Sequence, residues 1–220
     1  MIIKNFIYTN STKAGFTLAE VLITLGIIGA VAALTMPVLV GNYQKKQTVT
    51  KLKRAFSVLS QAILMSELDN ESTEFWNYNL EAKEFYDIYL KKYLITTEDV
   101  QFSEIRKVVT YRYLNNTKAE GAIGNNNSYA IKLNDGTFVI IDGWFDAIEG
   151  NSRNIIFDIN GLAKPNKIGR DVFYFRLYKK KGLIGYDESG DQGCERNATG
   201  YSCSQKIMED GWEIKDDYPW

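Results

Sequence analysis

Twenty-five consecutive residues, FTLAEVLITLGIIGAVAALTMPVLV from Phe16 to Val40, carry one charged side chain, Glu20. No other feature constrains the chain as strongly. As a helix rising about 1.5 Å per residue the run is roughly 37 Å long, enough to cross a bilayer core of about 30 Å. A buried helix of a soluble protein would need apolar neighbours on every face, which is more protein than 220 residues supply around it. A secretory signal would also open with a basic lead and an apolar stretch. Here the stretch exceeds a signal core, and the following MPVLVGNYQKK offers no small-residue cleavage site. The segment is therefore expected to remain as a membrane helix.

Charge does not orient this helix in the direction that the rest of the reading requires. Lys4 and Lys13 precede it, whereas Lys45, Lys46, Lys51, Lys53 and Arg54 follow it with no acidic residue between them. The positive-inside rule then favours a cytoplasmic C-terminal side. Glu20 is the second oddity, because a carboxylate at a helix centre in the bilayer costs about 2.5–3.5 kcal/mol. It either snorkels to the interface or meets an opposite charge. A cut between Gly15 and Phe16 would create such a charge, an α-amino group one helical turn away.

Lys13-Ala14-Gly15-Phe16-Thr17-Leu18-Ala19-Glu20 ahead of an apolar helix resembles the prepilin cleavage and methylation signature of type IV pilins and type II secretion pseudopilins. The resemblance covers about the first 50 residues. It implies that prepilin peptidase cuts after Gly15, that Phe16 is methylated, and that Glu20 registers an incoming subunit against the N-terminus of a neighbour. It also implies a cytoplasmic leader and an exported bulk, against the plain charge count. The implied partners are other pilin or pseudopilin subunits, the peptidase, the assembly machinery and the inner membrane. Small residues at Gly26 and Ala30, and at Gly29 and Ala33, suit close approach of helices in an apolar medium. Pro37 removes one helical hydrogen bond, so the helix is expected to bend or locally melt there.

Beyond the membrane run, Val49, Leu52, Phe56, Leu59 and Ile63 repeat at spacings of three and four, an amphipathic stripe on a helix reaching about Leu68. The basic cluster over Lys45–Arg54 suits lipid headgroups, an acidic face of the next subunit, or a solvated helix face. A short helix is expected over Glu81–Leu94. Strands are expected at Val108–Leu114, Tyr129–Leu133, Thr137–Asp142, Ile155–Ile159, Val172–Tyr178 and Leu183–Tyr186, from β-branched and aromatic content. Asn134-Asp135-Gly136 reads as a hairpin turn. With no crossover helices, the sheet should be a mostly antiparallel meander. The expected class is α+β: a long N-terminal helix packed on an antiparallel sheet, as in pilin-like proteins. Its parts are a leader (1–15), a transmembrane and assembly helix (16–40), an amphipathic continuation (41–68) and an exported head (69–220).

Composition narrows the chemistry. The chain has no histidine, which removes imidazole bases, Ser/His and Cys/His pairs and His-ligated metals. Two cysteines are too few for a thiolate-only zinc or iron–sulfur site. No enzyme activity and no cofactor are expected, and a net charge of −1 suggests no nucleic-acid partner. In an exported domain Cys194 and Cys203 should form a disulfide, closing a loop near the C-terminus. Asp158, Asn160 and Asp171 could supply oxygen ligands to Ca²⁺, but they miss the spacing of a calcium loop. Turn chemistry explains the same residues, and no metal site is assigned to them. Residues 187–220 hold nine acidic and three basic side chains, a local net of −6. That region could align with the basic cluster of an adjacent subunit, while its aromatic end anchors on the sheet. A membrane-anchored periplasmic ligand-binding module is the alternative function.

Overall fold

A computed structural model of the chain describes residues 15–143 and 151–220. Lys4 and Lys13, with the leader up to Ala14, lie outside the described residues. The contacts divide the chain into two compact units, Met1–Tyr43 and Gln44–Trp220.

In the first unit the backbone is helical from Leu18 onward, the start of α1 (Leu18–Asn70). Helical assignment continues through Pro37, so the expected local melting does not occur. One missing N–H leaves the neighbouring intrahelical bonds in place. Apart from the half-buried Ala32, the apolar side chains from Phe16 to Val40 are exposed, Leu22 at 61% and Ile28 at 65%, so the chain itself does not bury this segment. That disposes of the buried-helix reading.

In the second unit α1 becomes a conventional core helix. Val49, Leu52, Ala55, Leu59, Ala62, Ile63 and Ser66 are buried along one stripe, the spacing that puts side chains over one another on a helix face. The helix stops where Glu71 takes a left-handed conformation (φ 62°), a common way to end a helix. The carbonyl of Glu71 then accepts from the Trp76 indole at 3.0 Å.

After α1 come α2 (Ala82–Tyr89), β1 (Thr96–Gln101), α3 (Phe102–Val108), β2 (Tyr129–Leu133), β3 (Phe138–Ile141), β4 (Ser152–Asp158), β5 (Val172–Tyr178), β6 (Gly182–Gly185) and α4 (Cys203–Glu209). The six described strands form one antiparallel sheet in sequence order, β1 to β6, the expected meander, with the short α3 set in the β1–β2 connection. The Asn134-Asp135-Gly136 turn joins β2 to β3, with Gly136 N–H donating to the Leu133 carbonyl at 3.0 Å. Gly136 sits at φ 87°, a backbone state that glycine adopts without a Cβ clash. Arg54 of α1 pairs with Asp135 of this turn at 3.4 Å.

The sheet is covered on both faces, which explains the near-continuous apolar strands FVII and NIIF. Ile131, Val139, Ile155, Phe157, Phe173 and Phe175 share a core with α1 and α2. The alternate residues Ala130, Phe138, Ile140, Ile156 and Tyr174 pack against Phe102, Ile105, Tyr111 and Ile168. Phe56 of α1 lies 5.5 Å from Phe175, centroid to centroid. Arg153, fully buried, donates to the carbonyls of Asp142, Tyr78 and Leu80 and stacks 4.8 Å from the Phe85 ring. It thereby ties the segment before α2 to the sheet.

Two further sequence expectations fail. Val108–Leu114 is not a strand of the sheet: α3 ends at Val108, and Arg112 makes only isolated bridges, to Lys118 and Lys167. The apolar alternation there is real, since Val109 and Tyr111 are buried, but the backbone partners are loops: Arg112 N–H donates to the Asn166 carbonyl at 2.9 Å. The sheet gains an edge strand instead at Thr96–Gln101, a polar sequence whose residues are mostly exposed. The helix expected over Glu81–Leu94 is shorter, α2 followed by a 3₁₀ turn at Lys91–Tyr93.

Candidate functional site

The chemistry-bearing residues fall in three places. At the start of α1, Thr17 and Glu20 form a reciprocal cap. Glu20 Oε2 accepts from the Thr17 backbone N–H and from the Thr17 hydroxyl, each at 2.8 Å, and Glu20 N–H donates to Thr17 Oγ1 at 3.2 Å. This is a capping box, in which both ends of the first turn satisfy backbone donors that lack helical partners. Within the single chain the Glu20 charge is therefore not bare. Sequence reasoning passed over Thr17, although Thr-x-x-Glu before an apolar run is itself a capping signature.

Two further residues frame the cap. Phe16 is 89% exposed. A side chain added at Gly15 would meet nothing within 4 Å, so the fold of this chain does not require glycine there. The same holds for Gly26 and Gly29. Their lack of a side chain serves no packing inside the described residues; on a lipid-exposed helix, small residues permit a second helix to approach.

The second place is the C-terminal end of the head. Cys194 and Cys203 form a disulfide with a sequence separation of nine, and Cys203 opens α4, fully buried. The loop between them is also held by its backbone: Thr199 N–H donates to the Asp191 carbonyl at 2.8 Å, and Gly200 N–H to that of Gly193 at 3.1 Å. Gly169, at φ 80°, brings its backbone against Cys203, where a Cβ would lie 2.9 Å from Sγ. The terminal aromatics dock on the same head. Tyr218 donates to the Gly169 carbonyl at 2.6 Å, the Arg170 guanidinium lies 4.5 Å from the Trp220 ring, and Trp212 sits 5.2 Å from Phe56. Two of the acids counted in the tail are paired within it, Asp217 to Lys206 at 2.6 Å and Asp210 to Lys215 at 2.8 Å.

The third place is the connection from β4 to β5, where Asp158, Asn160 and Asp171 converge. Asp158 Oδ2 accepts from the Tyr111 hydroxyl at 3.0 Å and Oδ1 from Asn160 N–H at 3.4 Å. Asp171 accepts from the backbone N–H groups of Asn166 at 2.7 Å and Lys167 at 2.6 Å. Asn160 spends its amide N–H on the Lys164 carbonyl at 3.2 Å. Every carboxylate oxygen thus takes a donor from the chain itself, which is turn chemistry. Two amide oxygens of the same connection, those of Asn160 and Asn166, are buried and find no donor among the described residues. Burial pushes the Asp158 carboxyl well above the usual carboxylate range, reinforced by the charge of Asp171. Burial also raises Asp171, against the pull of its backbone hydrogen bonds. Among the described residues no three acidic, cysteine or histidine side chains are grouped to hold a metal ion.

Comparison with known proteins agrees with this division of the chain. Residues 10–36 match the prokaryotic N-terminal methylation motif, the signature of type IV pilins and pseudopilins. Residues 38–220 match a family of unknown function, DUF6613. No curated protein and no solved structure matches the chain.

Proposed function

The chain belongs to DUF6613, and we propose that it is the precursor of a structural subunit of a type IV pilus-like or type II secretion pseudopilus filament. The observation that carries this reading is the methylation motif at residues 10–36, set on a helix whose apolar side chains the chain leaves exposed. The precursor sits in the inner membrane as a single-pass protein with its head exported. Prepilin peptidase cuts between Gly15 and Phe16, and the new amine of Phe16 is methylated.

The capping box supports a role for Glu20 in assembly. In the free subunit its carboxylate is held by Thr17, which lowers the cost of carrying a charge into hydrocarbon. In a filament the α-amino group of a neighbouring Phe16 supplies a full positive charge, and opposite charges in a low-dielectric medium attract strongly. A subunit whose amine faces a neighbour's Glu20 is in register; one displaced along the axis leaves two charges unpaired in apolar surroundings. The work of such a protein is assembly with other subunits and the pilus machinery, without catalysis.

Mass spectrometry of the mature N-terminus tests the reading. A chain beginning at N-methyl-Phe16 is the expected result, and an intact leader or a cut elsewhere overturns it.

A further inference from the structure

The basic cluster after the apolar segment is only partly used by the folded chain. Lys53 lies 5.9 Å from the Trp212 ring and Arg54 pairs with Asp135 at 3.4 Å. Among the described residues Lys45, Lys46 and Lys51 have no ion pair. Lys46 and Lys51 are exposed and Lys45 is half-buried. Nothing nearby in sequence offsets them, because no acidic residue occurs between Glu20 and Glu67.

Their distribution around α1 separates two kinds of partner. At about 100° per residue, Lys46 lies about 100° and Lys51 about 240° around the axis from Lys45. A contact with one neighbouring protein would gather charge on one side of the helix. A layer of anionic groups that surrounds the helix is met on all sides. Lys45 and Lys46 follow Val40 by only five and six residues, so the backbone keeps them beside the membrane surface, and long lysine side chains extend that reach. Tyr43, 62% exposed, adds the amphipathic ring typical of the membrane–water interface.

We infer that Lys45, Lys46 and Lys51 form a seat for anionic phospholipid headgroups, with phosphate oxygens as the recognised group. This rests on the membrane-subunit reading above. The seat holds the head at the membrane surface while the subunit is free, and it must be vacated when α1 leaves the bilayer for a filament. The attraction falls off within a Debye length, about 8 Å at physiological ionic strength, so the hold weakens with salt.

Native mass spectrometry of the detergent-solubilised full-length precursor, titrated with phosphatidylglycerol or phosphatidylcholine, tests the seat. Each juxtamembrane lysine contributes about fivefold to association with an anionic surface, so phosphatidylglycerol should be retained at least about tenfold better. K45Q/K46Q/K51Q should remove the preference, and K46Q/K51Q, both at exposed positions, should remove most of it even if Lys45 proves necessary for folding. K53Q/R54Q should keep the preference, because those two side chains are engaged by the head. Equal retention of the two lipids by the unaltered chain overturns the proposal. So does a triple variant that keeps the preference, including one that keeps it but no longer enters filaments, since the lysines would then serve a neighbouring subunit. The precursor needs no processing for this measurement, so a wrong cleavage site and a wrong lipid seat give separate failures.

Discussion

Opening the Cys194–Cys203 bridge gives the most direct measure of what holds the C-terminal part of the head. The perturbation is reduction of the unaltered chain, which deletes the cross-link while leaving both sulfur atoms in place. For a sequence separation of nine, the loop-closure relation gives a denatured-state entropy of about 8.6 cal/mol/K, or about 2.6 kcal/mol at 25 °C. In the folded state the loop keeps its own hydrogen bonds, Thr199 to Asp191 and Gly200 to Gly193, so its native geometry should survive. The loss then resides in the unfolded chain. Urea unfolding of the detergent-solubilised protein, followed by tryptophan fluorescence with and without reductant, should show a stability loss near 2.6 kcal/mol. The denaturant slope should rise slightly, because the reduced chain exposes more surface. For a chain of this size the melting temperature should fall by about 5–10 °C. A loss below about 0.5 kcal/mol would refute the entropic argument. A loss above about 5 kcal/mol would show that the bridge maintains α4 against β5 and β6, a packing role the reasoning does not assign to it.

Three other perturbations probe separate parts of the chain. Asp158→Asn should remove a pH dependence of head stability, at the cost of one of the two acceptors that Tyr111 and Asn160 use: burial raises the folded-state carboxyl, so in the unaltered protein the folded form binds extra protons and stability falls as pH rises from the ordinary carboxylate value through the raised one. Melting temperatures from pH 4 to 8 should show the variant gaining on the unaltered protein as pH increases, and a constant difference would contradict the burial argument. Leu59→Ala removes a fully buried side chain from the stripe of α1 and should cost about 2–5 kcal/mol in urea unfolding, whereas Leu22→Ala, in the exposed apolar unit, should leave that transition unchanged. Glu20→Ala should leave membrane insertion intact and abolish incorporation into filaments, as measured by fractionation of sheared filaments from membranes; normal incorporation would remove Glu20 from the assembly mechanism.

Much of the fold was legible because its signals are local. The apolar run, the three-and-four spacing from Val49 to Ile63 and the Asn-Asp-Gly turn each need only a few neighbouring residues to be read. The Thr17–Glu20 cap belongs to the same class, since Thr-x-x-Glu ahead of an apolar run is a local pattern. Residues 108–114 show the opposite case. Their apolar alternation correctly reports a chain buried on one side, but alternation cannot say whether the backbone partner is a strand or a loop. Here the partners at 117–119 and 166–168 are loops. The edge strand Thr96–Gln101 was unreadable for the complementary reason: an exposed edge buries little, so its composition carries almost no strand signal.

By itself the sequence determined that this chain carries a membrane-length apolar helix headed by a cleavage and methylation signature, because both depend on contiguous residues. It also made the meander from β2 to β6 legible, but not the edge strand at Thr96–Gln101 that completes the sheet. Only the tertiary structure decided what the isolated chemical groups do. It put Asp158 beneath Tyr111 and beside the Asp171 turn, and set Trp212 on Phe56 and Lys53. It also used Lys53 and Arg54 internally while leaving Lys45, Lys46 and Lys51 without an ion pair among the described residues. The contacts of Asp158 with Tyr111 and of Lys53 with Trp212 join residues 47 and 159 positions apart, and such pairings depend on how the whole core packs, which no local pattern encodes.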